Sequence, residues 1–259
     1  MSAPLKLAVA VPIYNEEAVI PELLRRIGAV LDRVPGGPHQ IVLVDDGSSD
    51  RSWQVLESAA ATDARILALS LSRNFGHQAA VTAALAHAEG DAVVVMDGDL
   101  QDAPEAIPAL LEAYYHGYDV VYAERTKRKE AWPLRLSYFL FYRLLARLSE
   151  RRLPLDAGDF AVLSARVVNE LRKLPEHHRY LRGLRAWVGF RQIGVPIERA
   201  ERFAGRSKYG TLKLVKLAFD AIFAFSIVPL RAAAALGASA VLLAGAFTLY
   251  ALYRKIVLD

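Results

Sequence analysis

Short apolar runs alternate with amphipathic stretches over the first 116 residues of the chain. Four runs of four to six residues have the length and polar boundaries of buried strands, and the segments between them have the apolar spacing of helices. The predicted strands are Leu7–Val11, Ile41–Val44, Ile66–Leu71 and Ala92–Met96, and the predicted helices are Glu17–Asp32, Asp50–Ala61, His77–His87 and Pro104–His116. This alternation predicts an α/β fold with a mainly parallel sheet covered by helices on both faces.

A polar cluster follows each of the four predicted strands. Ligands of such sheets bind beyond the carboxyl ends of the strands, so the clusters should meet at one edge. Any single cluster is explained equally well by ordinary turn and helix-cap chemistry, whereas four together indicate a binding site. They are Pro12–Glu16, Asp45–Asp50, Ser72–Gln78 and Asp97–Asp99.

The cluster after the fourth strand has the chemistry of a cation site. Asp97 and Asp99 are two residues apart and Gln101 follows, so three side-chain oxygens could surround Mg²⁺ or Mn²⁺ and, through it, a diphosphate. No G-x-G-x-x-G follows the first strand and no G-x-x-x-x-G-K-[ST] occurs in the chain, which argues against dinucleotide dehydrogenases and P-loop enzymes. The sequence therefore favours a nucleotide bound through a metal.

The C-terminal part of the chain predicts contact with a membrane. Ala232–Tyr253 is an uncharged run of 22 residues, about 33 Å of helix, which is enough to cross a hydrocarbon core of about 30 Å. Leu212–Leu230 is apolar but carries three charges, and Trp132–Leu148 mixes apolar and basic residues at helical spacing, so both are predicted to lie in the interface. A core or coiled-coil helix is the alternative for Trp132–Leu148.

The composition of the chain bears on which partners and which cellular location we expect. A mean hydropathy of +0.21 with 54% hydrophobic residues is high for a soluble protein, and a net charge of +4 is too small to argue for nucleic acid. The basic and aromatic stretch from Arg125 to Arg152 suits an anionic membrane face. The absence of cysteine excludes disulfides and thiolate zinc sites. The N-terminus lacks a secretory signal, so we expect the first 200 residues to be cytosolic.

Six motifs resemble those of family 2 inverting glycosyltransferases with the GT-A fold. The order and spacing are most similar to the polyprenyl-phosphate hexosyltransferases, a group that includes bactoprenol glucosyltransferases, the aminoarabinose transferase and dolichol-phosphate mannose synthase. The motifs are Val11-Pro-Ile-Tyr-Asn-Glu-Glu17, Val44-Asp-Asp-Gly-Ser-Ser-Asp50, Ser72-Arg-Asn-Phe-Gly-His-Gln78, Met96-Asp-Gly-Asp-Leu-Gln-Asp102, Gly158-Asp-Phe160 and Arg206-Ser-Lys-Tyr-Gly210. The resemblance covers roughly residues 5–255.

The resemblance implies a role for each matching residue. Asp97 and Asp159 would be catalytic, together with Arg125; Asp159 would orient the acceptor or the sugar, with general-base work as the alternative. Apart from the motifs, the charge of an acceptor phosphate would need cations, and Arg125 and Arg143 of the basic stretch are candidates, with Arg73 and His77 in another loop of the same edge. The metal would be held by Asp97, Asp99 and Gln101. The nucleotide sugar would meet Pro12, Tyr14, Asn15, Glu16, Asp45, Asp46, Ser48, Asp97, Gly98, Arg206 and Lys208.

We therefore expect transfer of a hexose, glucose from UDP-glucose, to a polyprenyl phosphate with inversion. Alternative donors are GDP-mannose and a UDP-aminoarabinose-type sugar, and a non-catalytic nucleotide-sugar-binding scaffold is the alternative class. A polysaccharide synthase is disfavoured because the chain has no Q-x-x-R-W motif. The expected partners are membrane lipids and, less directly, a flippase or a downstream glycosyltransferase that uses the lipid-linked sugar.

The predicted organisation is a catalytic domain over 1–210, which contains the interfacial helix 132–150, followed by an interfacial helix over 211–231 and a transmembrane helix over 232–254. The catalytic domain is expected on the cytosolic face of the cytoplasmic membrane. Arg254 and Lys255 would finish outside, against the usual excess of basic residues inside. We therefore expect either a second helix that returns to the cytosol or a homo-oligomer packed through small residues of the span.

Overall fold

The computed structural model of the protein describes residues 4–125, 157–176, 179–198 and 228–257. The strands within these ranges are β1 Leu7–Ile13, β2 Gln40–Asp45, β3 Ile66–Ser70, β4 Ala92–Val95, β5 Val120–Arg125, β6 Ala157–Ser164 and β7 Gln192–Ile197. The α-helices are α1 Ile20–Leu31, α2 Ser52–Thr62, α3 His77–His87, α4 Ile107–Tyr115, α5 Ala165–Lys173, α6 Leu181–Val188 and α7 Val228–Val257. A 3₁₀ turn, Pro104–Ala106, leads into α4.

The strands form one mixed sheet in the order β3-β2-β1-β4-β6-β5-β7. Strands β1 to β4 are mutually parallel, as are β5 and β7, whereas β6 runs antiparallel to both of its neighbours. Strand β6 therefore begins at the edge where the parallel strands end. Residues at the start of β6 come close to the loops that follow β1 and β4 for this reason.

Both faces of the sheet are buried because successive residues of a strand point to opposite sides. On one face Val9 and Val11 pack with the apolar stripe of α1, which includes Ile20, Leu23 and Ile27. Complete burial of each aliphatic side chain of this size stabilises the fold by about 1.5–3 kcal/mol. On the other face the small residues Ala8 and Ala10 pack with α3 through Ala80, Val81, Ala84 and Leu85.

The fold class predicted from the apolar pattern is confirmed. The four predicted strands are β1 to β4, with ends that differ by one or two residues, and the helix predicted over His77–His87 has the same bounds as α3. The predicted helix Pro104–His116 is divided into a 3₁₀ turn and α4. The apolar pattern did not predict strands β5 to β7, and the antiparallel β6 among them carries Asp159.

The described residues fall into two separate units, a sheet-based unit and the helix α7. Helix α7 begins at Val228, four residues before the predicted start of the span, and Pro229 lies in its first turn, where a missing N–H costs little. Its segment Ala233–Ile256 is long and apolar enough to cross a membrane by length and composition. The predicted interfacial helix 132–150 lies outside the described residues. The same holds for residues 211–227 of the predicted interfacial helix 211–231.

Candidate functional site

The loops that follow β1 and β2 are joined by hydrogen bonds at the carboxyl edge of the sheet. The backbone N–H of Asn15 donates to Ser48 Oγ at 2.9 Å, and the N–H of Ser49 donates to Asn15 Oδ1 at 2.8 Å. The N–H of Glu16 donates to Ser52 Oγ at 2.9 Å. Asn15 has a φ of 54°, a left-handed conformation that asparagine tolerates better than most residues. The turn is therefore held at the beginning of α2, next to the exposed ring of Tyr14.

The carboxylates of Asp45 and Asp46 accept hydrogen bonds from backbone N–H groups of the loops at this edge. The Asp45 carboxylate accepts from the N–H of Ser48 at 3.3 Å, and the Asp46 carboxylate accepts from the N–H groups of Phe75 and Gly76 at 2.8 and 2.9 Å. The two residues are only 2% and 3% exposed. Asp46 therefore has a structural role between the loops that follow β2 and β3, and its predicted contact with a nucleoside stays a prediction.

Gly47 allows these two loops to meet. Its φ is +66°, and a Cβ atom at this position would lie 2.4 Å from the backbone carbon of Arg73. Any side chain would force the loops apart, because the atoms that it meets belong to the backbone. Arg73, one of the predicted acceptor-phosphate residues, places its guanidinium carbon 4.5 Å from the centre of the exposed Phe75 ring.

The predicted metal residues leave β4 in a tight turn. Asp99 Oδ1 accepts from the N–H of Gln101 at 3.1 Å, and Leu100 between them has a φ of 58°. A Cβ atom on Gly98 would lie 3.0 Å from the carbonyl oxygen of Pro12 and 2.6 Å from Ile13 Cδ1. The turn is thus packed closely against the end of β1, and the predicted donor residues Pro12 and Gly98 are neighbours.

Asp159 enters the same edge from the start of β6, and its carboxylate is held by an arginine of α6. Arg182 Nε and Nη2 donate to Asp159 Oδ1 and Oδ2, both at 2.8 Å, which is a two-pronged pairing. Burial by itself would raise the pKa of Asp159, but the hydrogen bonds and charge of Arg182, with His77 and Arg185 nearby, lower it to about 2. Asp159 is therefore a weak proton acceptor at neutral pH.

His77 lies between the two carboxylates that the sequence placed on different motifs. Its Nε2 is 3.6 Å from Asp97 Oδ1 and 3.8 Å from Asp159 Oδ2. One ligand atom from each of the three residues lies within 4.8 Å of the others, a spacing that a divalent cation could span after small rotations of the side chains. Asp159 is the weakest of the three as a ligand because both of its oxygens already accept hydrogen bonds from Arg182.

Arg185 is a second arginine of α6 that lies behind Asp159. It is 1% exposed, and its Nη2 donates to the carbonyl oxygen of Gly158 at 2.9 Å. Its Nε and Nη1 make no hydrogen bond to any residue in the described part of the chain. Burial lowers the pKa of the guanidinium to about 10, which leaves it charged at neutral pH. The chain thus keeps a buried cation against the backbone beside Asp159.

The edge brings together most of the predicted site residues that the structure describes. Asp97 and Asp159 meet at His77, and Asn15 meets Ser48. Arg143, Arg206 and Lys208 lie outside the described residues, and Arg125 is described only as the last residue of β5. Arg182 and Arg185 were missed by sequence reasoning, although the apolar spacing of Leu181, Leu184 and Val188 predicts a short helix there and puts Arg185 on its buried face.

Comparisons with known proteins agree with this fold. Residues 8–172 match the family described as glycosyl transferase family 2. An uncharacterized glycosyltransferase, YkcC of Bacillus subtilis, is 41% identical over 100% of this chain and 80% of its own length. The bactoprenol glucosyl transferase of Shigella phage SfV is 38% identical over 88% of this chain and 74% of its own. The undecaprenyl-phosphate 4-deoxy-4-formamido-L-arabinose transferase of Edwardsiella ictaluri is 36% identical over 97% and 77%.

A solved structure supports the same fold. Glucosyl-3-phosphoglycerate synthase of Mycobacterium tuberculosis, solved with Mn²⁺, UDP and glucosyl-3-phosphoglycerate, superposes with a TM-score of 0.62 over 84% of this chain and 77% of that one. The identity is 19%, so this likeness shows the architecture alone. On the family match and on the identity to YkcC over the whole chain, the protein belongs to glycosyl transferase family 2 and is a glycosyltransferase with the GT-A fold.

Proposed function

We propose that the protein transfers a hexose from a nucleotide sugar to a polyprenyl phosphate at a membrane surface. The observation that carries the proposal is the meeting of Asp97, from the Asp-Gly-Asp strand end, with Asp159 on either side of His77. This geometry supports a donor diphosphate and an acceptor that come together at one edge. The names of the phage and Edwardsiella relatives support bactoprenol or undecaprenyl phosphate as the acceptor class.

The proposed donor is UDP-glucose, bound through a divalent cation. Asp97, Asp99 and Gln101 would hold Mg²⁺ or Mn²⁺, and they fit it because they present hard oxygen ligands in one turn at the end of a buried strand. The bound cation would offset the charge that develops on the departing nucleoside diphosphate. The turn of Tyr14 and Asn15 would face the nucleoside, and Tyr14 is 39% exposed there.

The proposed reaction is a direct displacement at the anomeric carbon. A phosphate oxygen of the lipid forms a bond to this carbon on one side while the bond to the diphosphate breaks on the other, and the leaving group departs with the electron pair. The configuration therefore inverts. A phosphate monoester has a second pKa of about 6, so at neutral pH the acceptor is mostly a dianion without a proton to lose. A carboxylate with a pKa of about 2, such as Asp159, suits orientation better than proton removal.

The proposed setting is the cytosolic face of the cytoplasmic membrane. Helix α7 supports an anchor because Ala233–Ile256 has the length and apolar composition of a membrane span. The basic residues predicted for the acceptor phosphate, Arg125 and Arg143, would supply positive charge for a lipid headgroup and for an anionic surface. A soluble nucleotide sugar and a lipid phosphate would then meet without either substrate leaving its own phase.

The test is a transfer assay with purified protein, polyprenyl phosphate, Mn²⁺ or Mg²⁺ and a panel of labelled UDP- and GDP-sugars. We expect a charged glycolipid from UDP-glucose, and its loss in excess EDTA or in Asp99→Ala. Asp32→Ala is the matched control, because Asp32 is an acidic residue at the end of α1 whose partner is Arg65. If only GDP-mannose gives a product, the donor is GDP-mannose and not UDP-glucose. Sugar transfer to soluble acceptors only would contradict the proposed acceptor.

A further inference from the structure

Helix α6 holds the start of β6 at two adjacent points. Arg182 binds both oxygens of the Asp159 carboxylate, and Arg185, three residues further along the helix, binds the carbonyl oxygen of Gly158. Residues three apart lie on the same side of a helix, so the two guanidinium groups reach the same stretch of strand. The side chain and the preceding peptide of Asp159 are therefore both fixed by one helix.

Stability alone does not explain this arrangement. The Arg182 side chain is 23% exposed and that of Asp159 is 11% exposed, so this partly buried ion pair loses much of the water around both charges, a loss that often leaves little net stability compared with apolar residues of similar size. Arg185 adds a buried cation with two nitrogens that have no hydrogen-bond partner in the described ranges, which costs further free energy. What a two-pronged pair does provide is a defined direction for the carboxylate.

The direction of the Asp159 carboxylate determines which residues of the edge its oxygens face. Asp159 Oδ2, which accepts from Arg182 Nη2, is also the oxygen that lies 3.8 Å from His77 Nε2, on the side of Asp97. A rotation of the carboxylate would break the fork and move this oxygen away from the strand end that carries Asp97 and Asp99. The position of Arg182 thus decides which way Asp159 faces within the site.

We propose that Arg182 is a positioning residue for the transfer reaction, which acts through Asp159 by holding its carboxylate as an oriented anion on the side of Asp97. Arg185 supports the same function by fixing the peptide of Gly158. The inference takes the identity of the acceptor from the proposed function. That Arg182 acts through Asp159 follows from the contacts and does not depend on which acceptor is used. Arg182 itself needs no contact with either substrate.

A double-mutant cycle tests the dependence. Arg182→Gln, Asp159→Asn and the double variant are compared with the parent for kcat, for KM of each substrate and for thermal unfolding. We expect Arg182→Gln to lower kcat about 10²-fold, the cost of a small misplacement at a reacting centre, with the donor KM nearly unchanged. The double variant should be no slower than Asp159→Asn alone, and Arg182→Lys, which keeps the charge but not the fork, should recover only part of the rate.

Asp119 and Arg166 supply the control, because they form another aspartate–arginine pair in which Asp119 also accepts from Ser164, at the far end of β6. Arg166→Gln should lower the unfolding temperature but leave kcat within about twofold. Multiplied effects of Arg182→Gln and Asp159→Asn, or an equal loss of kcat in Arg166→Gln, would overturn the inference. If polyprenyl phosphate is not the acceptor, the cycle is run with the acceptor that the parent uses, so failure of the proposed function is seen separately.

Discussion

Asp159 is a charge that water barely reaches, yet it stays ionised because a guanidinium replaces the lost hydration. Burial alone would favour the neutral acid, and the paired hydrogen bonds from Arg182 reverse that preference and lower the pKa to about 2. Such a group stays ionised at neutral pH and is a poor acceptor of a proton. The residue is therefore equipped to orient a substrate.

We predict that Asp159→Asn lowers turnover strongly while donor affinity stays nearly intact, since Asp159 is hypothesised to act on the acceptor side. Calorimetric titration with the UDP-sugar measures the affinity. The fall of kcat/KM below about pH 6 should persist in the variant, because it reflects protonation of the lipid phosphate, which weakens the nucleophile, and not protonation of Asp159. Loss of UDP-sugar binding in Asp159→Asn would assign this residue to the donor pocket instead.

The motifs predicted that Asp97 and Asp159 would both lie in the site. They did not predict which residue orients the Asp159 carboxylate. Asp97 and Asp159 are 62 positions apart (159 minus 97), and the sequence assigned both to the site through their motifs. Arg182 lies outside the apolar stripe of a short amphipathic helix, where a basic residue is expected to be solvated. Its partner could not be found without the register of β6, because the apolar pattern does not say that this strand runs against its neighbours.

At the level of elements, the parallel strands were predictable because each is a short apolar run with a polar end. Strand β1 is buried along its whole length, and it lies between β2 and β4. The later strands were harder to predict. Ala157–Ser164 contains Gly158 and Asp159 within a strand, two residue types that are depleted in strands, and their places are fixed by contacts from α6.

The contact between the loops after β2 and β3 makes Gly47 a sensitive position. We predict that Gly47→Ala destabilises the protein by more than Gly189→Ala, since both positions have positive φ but only Gly47 has backbone atoms within 3 Å of the added Cβ atom. Gly189→Ala should cost about 1 kcal/mol, the usual penalty of a left-handed residue with a side chain. Thermal unfolding of the two variants measures the difference. Equal losses would show that the loops yield without cost.

Donor binding gives a second measurement on the same pair of variants. If the loops separate in Gly47→Ala, the hydrogen bonds from Phe75 and Gly76 to Asp46 weaken, and the edge that carries the predicted nucleoside residues is disturbed. UDP-sugar affinity should therefore fall in Gly47→Ala and remain near the parent value in Gly189→Ala. Unchanged affinity in both would separate the loop contact from the donor site.

On the scale of the whole molecule, the proposed function requires a catalytic unit and an apolar helix to serve substrates from two phases. Helix α7 has no charged residue between Arg231 and Arg254, so a membrane is the environment that its composition fits. The basic residues at its C-terminal end, Arg254 and Lys255, bear weakly on orientation because there are only two of them.

We predict that the chain crosses the membrane at α7, with the residues before the helix in the cytosol. The protein contains no cysteine, so Ser2→Cys and Asp259→Cys each introduce a single labelling site. An impermeant maleimide should label Asp259→Cys in intact cells and Ser2→Cys only after lysis. Labelling of Asp259→Cys only after lysis would contradict a single crossing, and extraction of the protein by carbonate would exclude the anchor.

Strand β6 runs antiparallel to β5, so it begins beside the residue where β5 ends. Glu124 near the end of β5 pairs with Ala157 at the start of β6, so the chain departs from the sheet and rejoins it at a single rung, one residue away from Gly158. The chain between residues 125 and 157 therefore leaves and rejoins the sheet next to Gly158 and Asp159. The predicted acceptor residues Arg125 and Arg143 lie at the start of this segment and within it, so under the proposed function substitutions there should change the use of the acceptor while the donor loops after β1 and β2 keep their contacts.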